Sequence, residues 1–350
     1  MTARPRLEAL DGLRFAAAMA VVAYHFTTMD RVWQRRADEI FPAQTAAYGW
    51  LGVHLFFLIS GFVICMSGWD RRPGPFLVSR AVRLYPAYWL SVVVIAVVKP
   101  VSWREFFANL TMFQDAVGVT PVAEVYWTLW AELRFYLIFA LLVWWGLTYR
   151  RVVAFCVVWL GLVAAAKVTV PDGSLVHVML MTDYAPLFIA GIGCYLMYRF
   201  RPSLVTFGII GGSFVLALPV VLFRAGLEAY PGEVVPKWPP VLLLGVCFLL
   251  VGAVALGWLN WVRGRWLAVL GALTYPLYLL HLDLGGPELR RWQGVVPPVL
   301  LVVIVTAVML VVAWLVHRFV EQPLAPLMKR GLQRIRPPAE RGEVREHCSL

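Results

Sequence analysis

An arginine and a histidine stand eleven residues apart near the start of the chain, Arg14 and His25. At about 100° per residue that spacing is about 20° from three whole helical turns, with a rise of about 16 Å. Both side chains therefore share one face of a helix, a fixed cation below and a titratable base above. A competing structural reading pairs Arg14 with Asp11 and makes His25 a satisfied polar core residue. Further ionisable residues interrupt apolar runs downstream: His54, Glu132, Arg134, Asp183 and His281. A charge at the centre of a bilayer costs roughly 2.5–3.5 kcal/mol, so such residues point to function.

These residues are expected at one level. Spans beginning near 47, 125 and 176 place His54, Glu132 and Asp183 each about seven residues from one membrane face, or ~10 Å. His281 falls near the same face of a later span. A histidine with a carboxylate nearby is an arrangement for general-base work, because the carboxylate orients the ring and stabilises its cation. Glu132 is the candidate partner of His25. Its structural alternative is a salt bridge to Arg134, although residues two apart on a helix do not face each other.

A second cluster lies in 69–83, read as an internal loop: Trp69-Asp70-Arg71-Arg72-Pro73, then Ser79-Arg80-Ala81-Val82-Arg83. Arg80 and Arg83, at i and i+3, can share a face just before a span. Paired guanidiniums at a membrane mouth suit a phosphorylated ligand. The bland alternative is ordinary positive-inside anchoring.

The elements that must position these residues follow from composition. Of 350 residues, 61% are hydrophobic and 15% charged. A soluble domain needs far more polar surface. Apolar runs long enough to cross a ~30 Å hydrocarbon core recur along the chain. Candidate spans are about 10–29, 47–68, 84–99, 125–147, 152–170, 176–198, 203–223, 238–259, 266–283 and 297–317. The expected fold is an all-α polytopic membrane protein of about ten transmembrane helices. Its membrane domain covers 1–328, with a disordered cytoplasmic tail over 329–350. With the N-terminus inside, internal segments carry 19 Lys and Arg and external loops nine, among them Arg31, Arg35 and Arg36. The asymmetry predicts both termini inside, in a cytoplasmic (inner) membrane.

The net charge of +11 does not imply nucleic acid, because the basic residues sit in short loops and the tail without an aromatic-basic platform. Arg4 and Arg6 resemble the start of a signal peptide, but Glu8, Asp11 and Arg14 interrupt the apolar core such a segment needs. The five cysteines, Cys65, Cys156, Cys194, Cys247 and Cys348, show no spacing for a metal or a disulfide framework. Gly49, Gly52, Ser60 and Gly61 read as close-packing residues. Tyr275-Pro276-Leu277-Tyr278 reads as a local break in the ninth span. The stretch 100–124, with Trp103, Phe106, Phe107 and Phe113, is expected along the outer interface or folded back into the bundle.

Several of these segments resemble the membrane acyltransferase-3 family. Leu10-Asp11-Gly12-Leu13-Arg14 followed by Tyr24-His25 is similar to its opening arginine–histidine signature. Gly49-Trp50-Leu51-Gly52-Val53 with Phe56-Phe57 and Ser60-Gly61-Phe62 resembles its second helix. Arg80-Ala81-Val82-Arg83-Leu84-Tyr85-Pro86 resembles its paired-arginine element, and Trp127-Thr128-Leu129-Trp130-Ala131-Glu132 with Phe135-Tyr136 its tryptophan–glutamate segment. Tyr275 to His281 and Glu321-Gln322-Pro323 match late elements. The resemblance spans about residues 7–323, and the shared order of motifs makes it specific.

The resemblance implies transfer of an acyl group, acetyl being expected, from acyl-coenzyme A to a hydroxyl of a polysaccharide, lipid-linked sugar or macrolide. It implies no metal. His25 would be the essential base or a transient acyl carrier, with Arg14 and Glu132 beside it. Arg80 and Arg83, with Arg14, would hold the donor. His54, Asp183, Tyr275 and His281 are candidate substrate contacts. Acceptor choice is expected to lie in the membrane domain rather than in the extra hydrolase-like domain that some members carry. The alternative from another class is a proton-coupled transporter, which would more often show inverted repeats; a membrane scaffold would not account for the clustered ionisable residues.

Overall fold

Apolar periodicity without charged faces gives helices that are greasy all round, and such helices are stable only against one another or against lipid. The computed structural model describes residues 7–28, 46–227 and 236–334. Among them nine helices are long and apolar enough to cross a membrane. α1 (Glu8–Thr27) has 20 residues, enough to span, but Glu8, Asp11 and Arg14 lower its hydropathy. It survives as a helix because it sits in the middle of the bundle, where Ala17, Ala18, Val21 and Val22 are buried. The chain is an all-α polytopic membrane protein. The end of the bundle where α1 begins is called proximal below, and the other distal.

α2 (Leu51–Gly68) runs back from the distal end. Gly49 and Gly52 lie against the α1 backbone, and Gly61 lies against Phe188. A Cβ on Gly61 would stand 2.0 Å from the Phe188 carbonyl oxygen, so only glycine permits this crossing. Ser60, read as a packing residue, instead makes a polar contact described below.

α3 (Pro73–Val98) corrects the expected loop at 69–83. Pro73 fits the first turn, where its missing N–H costs nothing, and the helix then runs unbroken for 26 residues past Pro86. Arg80 and Arg83 are therefore helical residues within a long span. Next, α4 (Trp103–Leu110) opens on a capping box: the Ser102 hydroxyl accepts from the Glu105 N–H while the Glu105 carboxylate accepts from the Ser102 N–H. It presents Trp103 and Phe107 outward. Its end and the stretch behind it fold back on α3, with the Tyr88 hydroxyl donating to the Asn109 carbonyl at 2.6 Å and the Tyr85 hydroxyl to the Thr111 carbonyl at 2.9 Å.

α5 (Tyr126–Trp145) and α6 (Tyr149–Thr169) follow. The expected span at 176–198 is two pieces, α7 (Leu175–Leu180) and α8 (Ala185–Phe200). Met181 between them has φ 53°, a left-handed conformation that ends a helix. α9 (Leu204–Leu227), α10 (Trp238–Ala255) and α11 (Arg265–Leu280) complete the middle of the chain.

The break expected at Tyr275–Tyr278 is absent; α11 runs straight through Pro276. Irregularity comes one turn later, as a π-helical turn at His281–Gly285 leading into α12 (Gly286–Trp292). α13 (Pro298–Val316) passes through a second π turn, His317–Glu321, into α14 (Gln322–Arg334). The tail expected from 329 is thus helical to 334. Residues 335–350, with Cys348, lie outside the described residues, as do Arg4, Arg6, Arg31, Arg35 and Arg36. The other four cysteines are buried free thiols.

The outer surface is apolar. Val299, Leu300, Val303, Ile304, Val308 and Val311 of α13 all face outward. A belt of this kind is a lipid-facing surface.

Candidate active site

The interior holds a cavity of about 370 Å³ built from five helices. α1 contributes Arg14, α3 Ser79, Arg80 and Arg83, and α5 Thr128, Glu132 and Tyr136. The α5 residues fall at i, i+4 and i+8, one stripe of one helix. α2 adds Val53, Phe56, Phe57 and Ser60, and α11 adds Thr274, Tyr275 and Tyr278.

The cavity is polarised along its length. Three guanidiniums, Arg14, Arg80 and Arg83, lie toward its proximal part, facing Glu132. Arg80 Nε donates to Ser79 Oγ at 3.2 Å, and among the described residues Arg14 and Arg83 make no hydrogen bond to protein. Three cations against one cavity carboxylate leave room for an anion. A second cavity of about 250 Å³ adjoins on the proximal side, sharing Arg14, Val63, Arg83 and Gly271 and reaching Leu7 and Asp11. The distal half is apolar, with Val53, Phe56, Phe57 and Leu129.

Glu132 accepts a 2.6 Å hydrogen bond from Ser60 Oγ, and Tyr136 belongs to the same group. The expected pairing of Glu132 with His25 is therefore corrected: Glu132 lies among the arginines, lower in the bundle. Arg134 does not pair with Glu132 either. It donates to the Val178 carbonyl and lies over Trp130.

His25 faces another imidazole. Its Nδ1 lies 2.7 Å from His281 Nε2, and the rings are 4.9 Å apart between centroids. The direction of this bond follows from the next one. His281 Nδ1 lies 2.9 Å from the Tyr278 carbonyl and 3.2 Å from that of Leu277. Carbonyls only accept, so His281 Nδ1 carries the proton. Neutral His281 then has a lone pair at Nε2, His25 Nδ1 donates to it, and His25 Nε2 is left unprotonated. Among the described residues His25 Nε2 has no protein partner. His281 is fully buried, whereas His25 is partly accessible.

Tyr278 separates the two parts. It forms the distal wall of the cavity, 6.1 Å from Phe56 between ring centroids, and its ring lies 5.9 Å from that of His281. Thr128 Oγ1 donates to its hydroxyl at 2.8 Å.

The acyltransferase-domain model of the acyltransferase-3 family matches residues 7–318. The chain belongs to the acyltransferase-3 family. It is 25% identical to peptidoglycan O-acetyltransferase OatA of Listeria monocytogenes over 92% of this chain and 56% of that protein. It is 25% identical to acyltransferase MdmB of Streptomyces mycarofaciens over 93% of each chain. It is 28% identical to exopolysaccharide production protein ExoZ of Rhizobium meliloti, over 67% of this chain and 75% of that one. The chain thus spans little more than half the length of OatA. No solved structure matches it.

Not every expected residue reaches the site of this acyltransferase-3 member. Tyr275 lines the cavity and its hydroxyl donates to the Leu84 carbonyl at 3.1 Å. Asp183 does not line it. The Met181 turn places Asp183 on the surface, 54% exposed and 3.1 Å from Lys167 Nζ. His54 is buried on another face of α2, edge-on to Trp50 at 5.1 Å, with neither ring nitrogen in a well-formed hydrogen bond. Glu132 meets Ser60, six residues and about 9 Å along α2 from His54, so the single level expected for His25, His54, Glu132 and Asp183 does not hold. Ser60, Thr128 and Tyr136 line the cavity beyond the residues expected from sequence. The i, i+4 stripe through Glu132 carries the signal for Thr128 and Tyr136, but Ser60 had none, since its role depends on which helix faces α2.

Proposed function

We propose that this chain is an integral-membrane O-acyltransferase that uses acyl-coenzyme A, acetyl-coenzyme A by preference, to acylate a hydroxyl of a carbohydrate or a glycosylated natural product such as a macrolide. One observation carries the reading: a cavity with three guanidiniums at one end closes at Tyr278, one helical turn before His281, which in turn holds His25 with its Nε2 free to take a proton. Names among the relatives support it, since OatA is a peptidoglycan O-acetyltransferase and MdmB an acyltransferase.

In this reading the proximal end is cytoplasmic, in agreement with the charge counts. Arg80, Arg83 and Arg14 hold the phosphates of the donor. The donor supplies an acyl group activated as a thioester. His25 Nε2 takes the proton of the acceptor hydroxyl as its oxygen bonds to the acyl carbon and the carbon–sulfur bond breaks. His25 then returns that proton to the departing thiolate. His281 fixes the tautomer of His25 and shares the charge that forms on it. The transporter alternative needs a solute path and gains nothing from the family match.

The test is transfer from radiolabelled acetyl-coenzyme A to a panel of sugars and macrolides by the purified full-length protein. Labelled ester product, lost on His25→Ala by roughly 10²–10⁴-fold, is the expected result. Undiminished transfer by that variant, or no transfer by the wild type to any acceptor class, removes the proposal.

A further inference from the structure

The hydrogen bond between His25 and His281 depends on a backbone feature that is unusual in itself. His281 opens the π turn, in which each hydrogen bond encloses one residue more than in an α-helix; such turns are rare and cluster at functional sites. Something must hold the turn in place, and the structure shows contacts on two sides.

On the α1 side, Phe26, the neighbour of His25, packs into the turn. A Cβ built on Gly285 would stand 2.5 Å from Phe26 Cζ, so the ring occupies the space that any other residue would need. The same ring lies 6.0 Å from that of His281. On the α3 side, the carboxylate of Asp283 forms an ion pair with Lys99, the residue that caps the end of α3. The Asp283 side chain is only 4% exposed, while that of Lys99 is 44% exposed. The second carboxylate oxygen of Asp283, Oδ2, is buried without a hydrogen-bond partner.

As a stabilising device this pair is a poor choice. Burying a carboxylate costs several kcal/mol, one ion pair barely repays it, and an orphaned oxygen adds to the cost. Apolar residues would hold the turn as well. What an ion pair adds is direction, because it fixes the turn at one distance from one point on α3. α3 is also the helix that carries Arg80 and Arg83 toward its proximal end, about 28 Å and about 24 Å from Lys99 along the helix. One helix thus sets both the cationic end of the cavity and the position of His281.

We propose that Lys99 and Asp283 are positioning residues: their ion pair pins the π turn so that His281 Nε2 stays within hydrogen-bond distance of His25 Nδ1. This rests on the acyl-transfer reading for its kinetic consequence but not for its structural one. Neither residue touches the cavity, so donor binding is independent of them.

The experiment compares wild type with Lys99→Met, Asp283→Asn and Lys99→Arg in the purified full-length protein. The first readout is kinetic, using acetyl-coenzyme A and the panel acceptor that wild type modifies fastest. Lys99→Met and Asp283→Asn are expected to lower kcat by roughly a hundredfold, as a misplacement of about 1 Å does, with KM for acetyl-coenzyme A unchanged. Lys99→Arg, which keeps the ion pair, restores turnover. The second readout needs no activity: labelling of His25 and His281 by diethylpyrocarbonate, followed by mass spectrometry. His281 is protected in wild type and Lys99→Arg and becomes reactive in the other two. Wild-type kcat in all variants, unchanged His281 protection, or a Lys99→Arg protein as impaired as Lys99→Met would overturn the proposal. A fall in kcat matched by an equal rise in donor KM assigns the pair a merely structural role and also overturns it. If wild type transfers nothing, the acyl-transfer reading fails, and the labelling result still decides whether the pair pins His281.

Discussion

Nδ1 of His25 lies 2.7 Å from Nε2 of His281, and His281 in turn donates to the carbonyl of Tyr278. The polarity of that short chain sets the tautomer of His25. A backbone carbonyl at its end makes Nε2 of His25 the basic nitrogen. An aspartate would do the same in other sites, but here a second imidazole and a peptide carbonyl take that part, and the buried carboxylate of the same π turn, Asp283, pairs with Lys99 instead.

His281→Ala removes the acceptor for His25 Nδ1, so the ring loses its tautomer and its orientation. Turnover is expected to fall by roughly 10²-fold or more, with KM for the donor unaffected. His281→Gln retains an acceptor oxygen and is expected to recover part of the loss. Steady-state kinetics of both variants check this.

Arg80→Ala and Arg83→Ala each remove a cation from the cavity without disturbing His25. A charge-assisted hydrogen bond contributes about 1.5–3 kcal/mol, so KM for acyl-coenzyme A should rise roughly tenfold or more while kcat holds. Titration of the donor at saturating acceptor measures both quantities. A fall in kcat at constant KM would remove the phosphate-binding role.

Asp183→Ala and His54→Leu are expected to leave transfer unchanged. Asp183 is a surface residue paired with Lys167. The His54 ring nitrogens are buried without good partners, so replacing them with carbon removes a desolvation cost. The His54→Leu protein should melt at a temperature no lower than wild type in a detergent-solubilised thermal assay.

Gly61→Ala tests the packing that sets the site. The added methyl would meet the Phe188 carbonyl at 2.0 Å and push α2 away from α8. Forced overpacking costs about 1–3 kcal/mol, so the thermal midpoint should drop. Because Phe57 and Ser60 lie on the same stretch of α2, Ser60 would also move from Glu132, and kcat should fall with it.

Local information alone determined a good deal about this protein. Hydropathy read out the membrane helices, because crossing lipid requires about 20 apolar residues whatever the fold. The eleven-residue interval between Arg14 and His25 marked a polar face, and the order of motifs marked the family. The i, i+3 spacing of Arg80 and Arg83 marks them as a pair whether the segment before them is a loop or a helix, because it puts them together once they are helical. What the interval could not say is which neighbour each residue meets. A depth argument counts residues from a span's end, and it fails where a helix starts early, as at Pro73, or breaks, as at Met181. It also gives height but not azimuth. His54 and Phe57 are three residues apart, yet only Phe57 faces the cavity. The packing of α2 on α1 and α8, and of α11 on α1, decided that Glu132 meets Ser60 and that His25 meets His281. Those partners are 72 and 256 residues apart in the chain. No local periodicity encodes such pairings; they arise only when close-packed helices fix their mutual rotation.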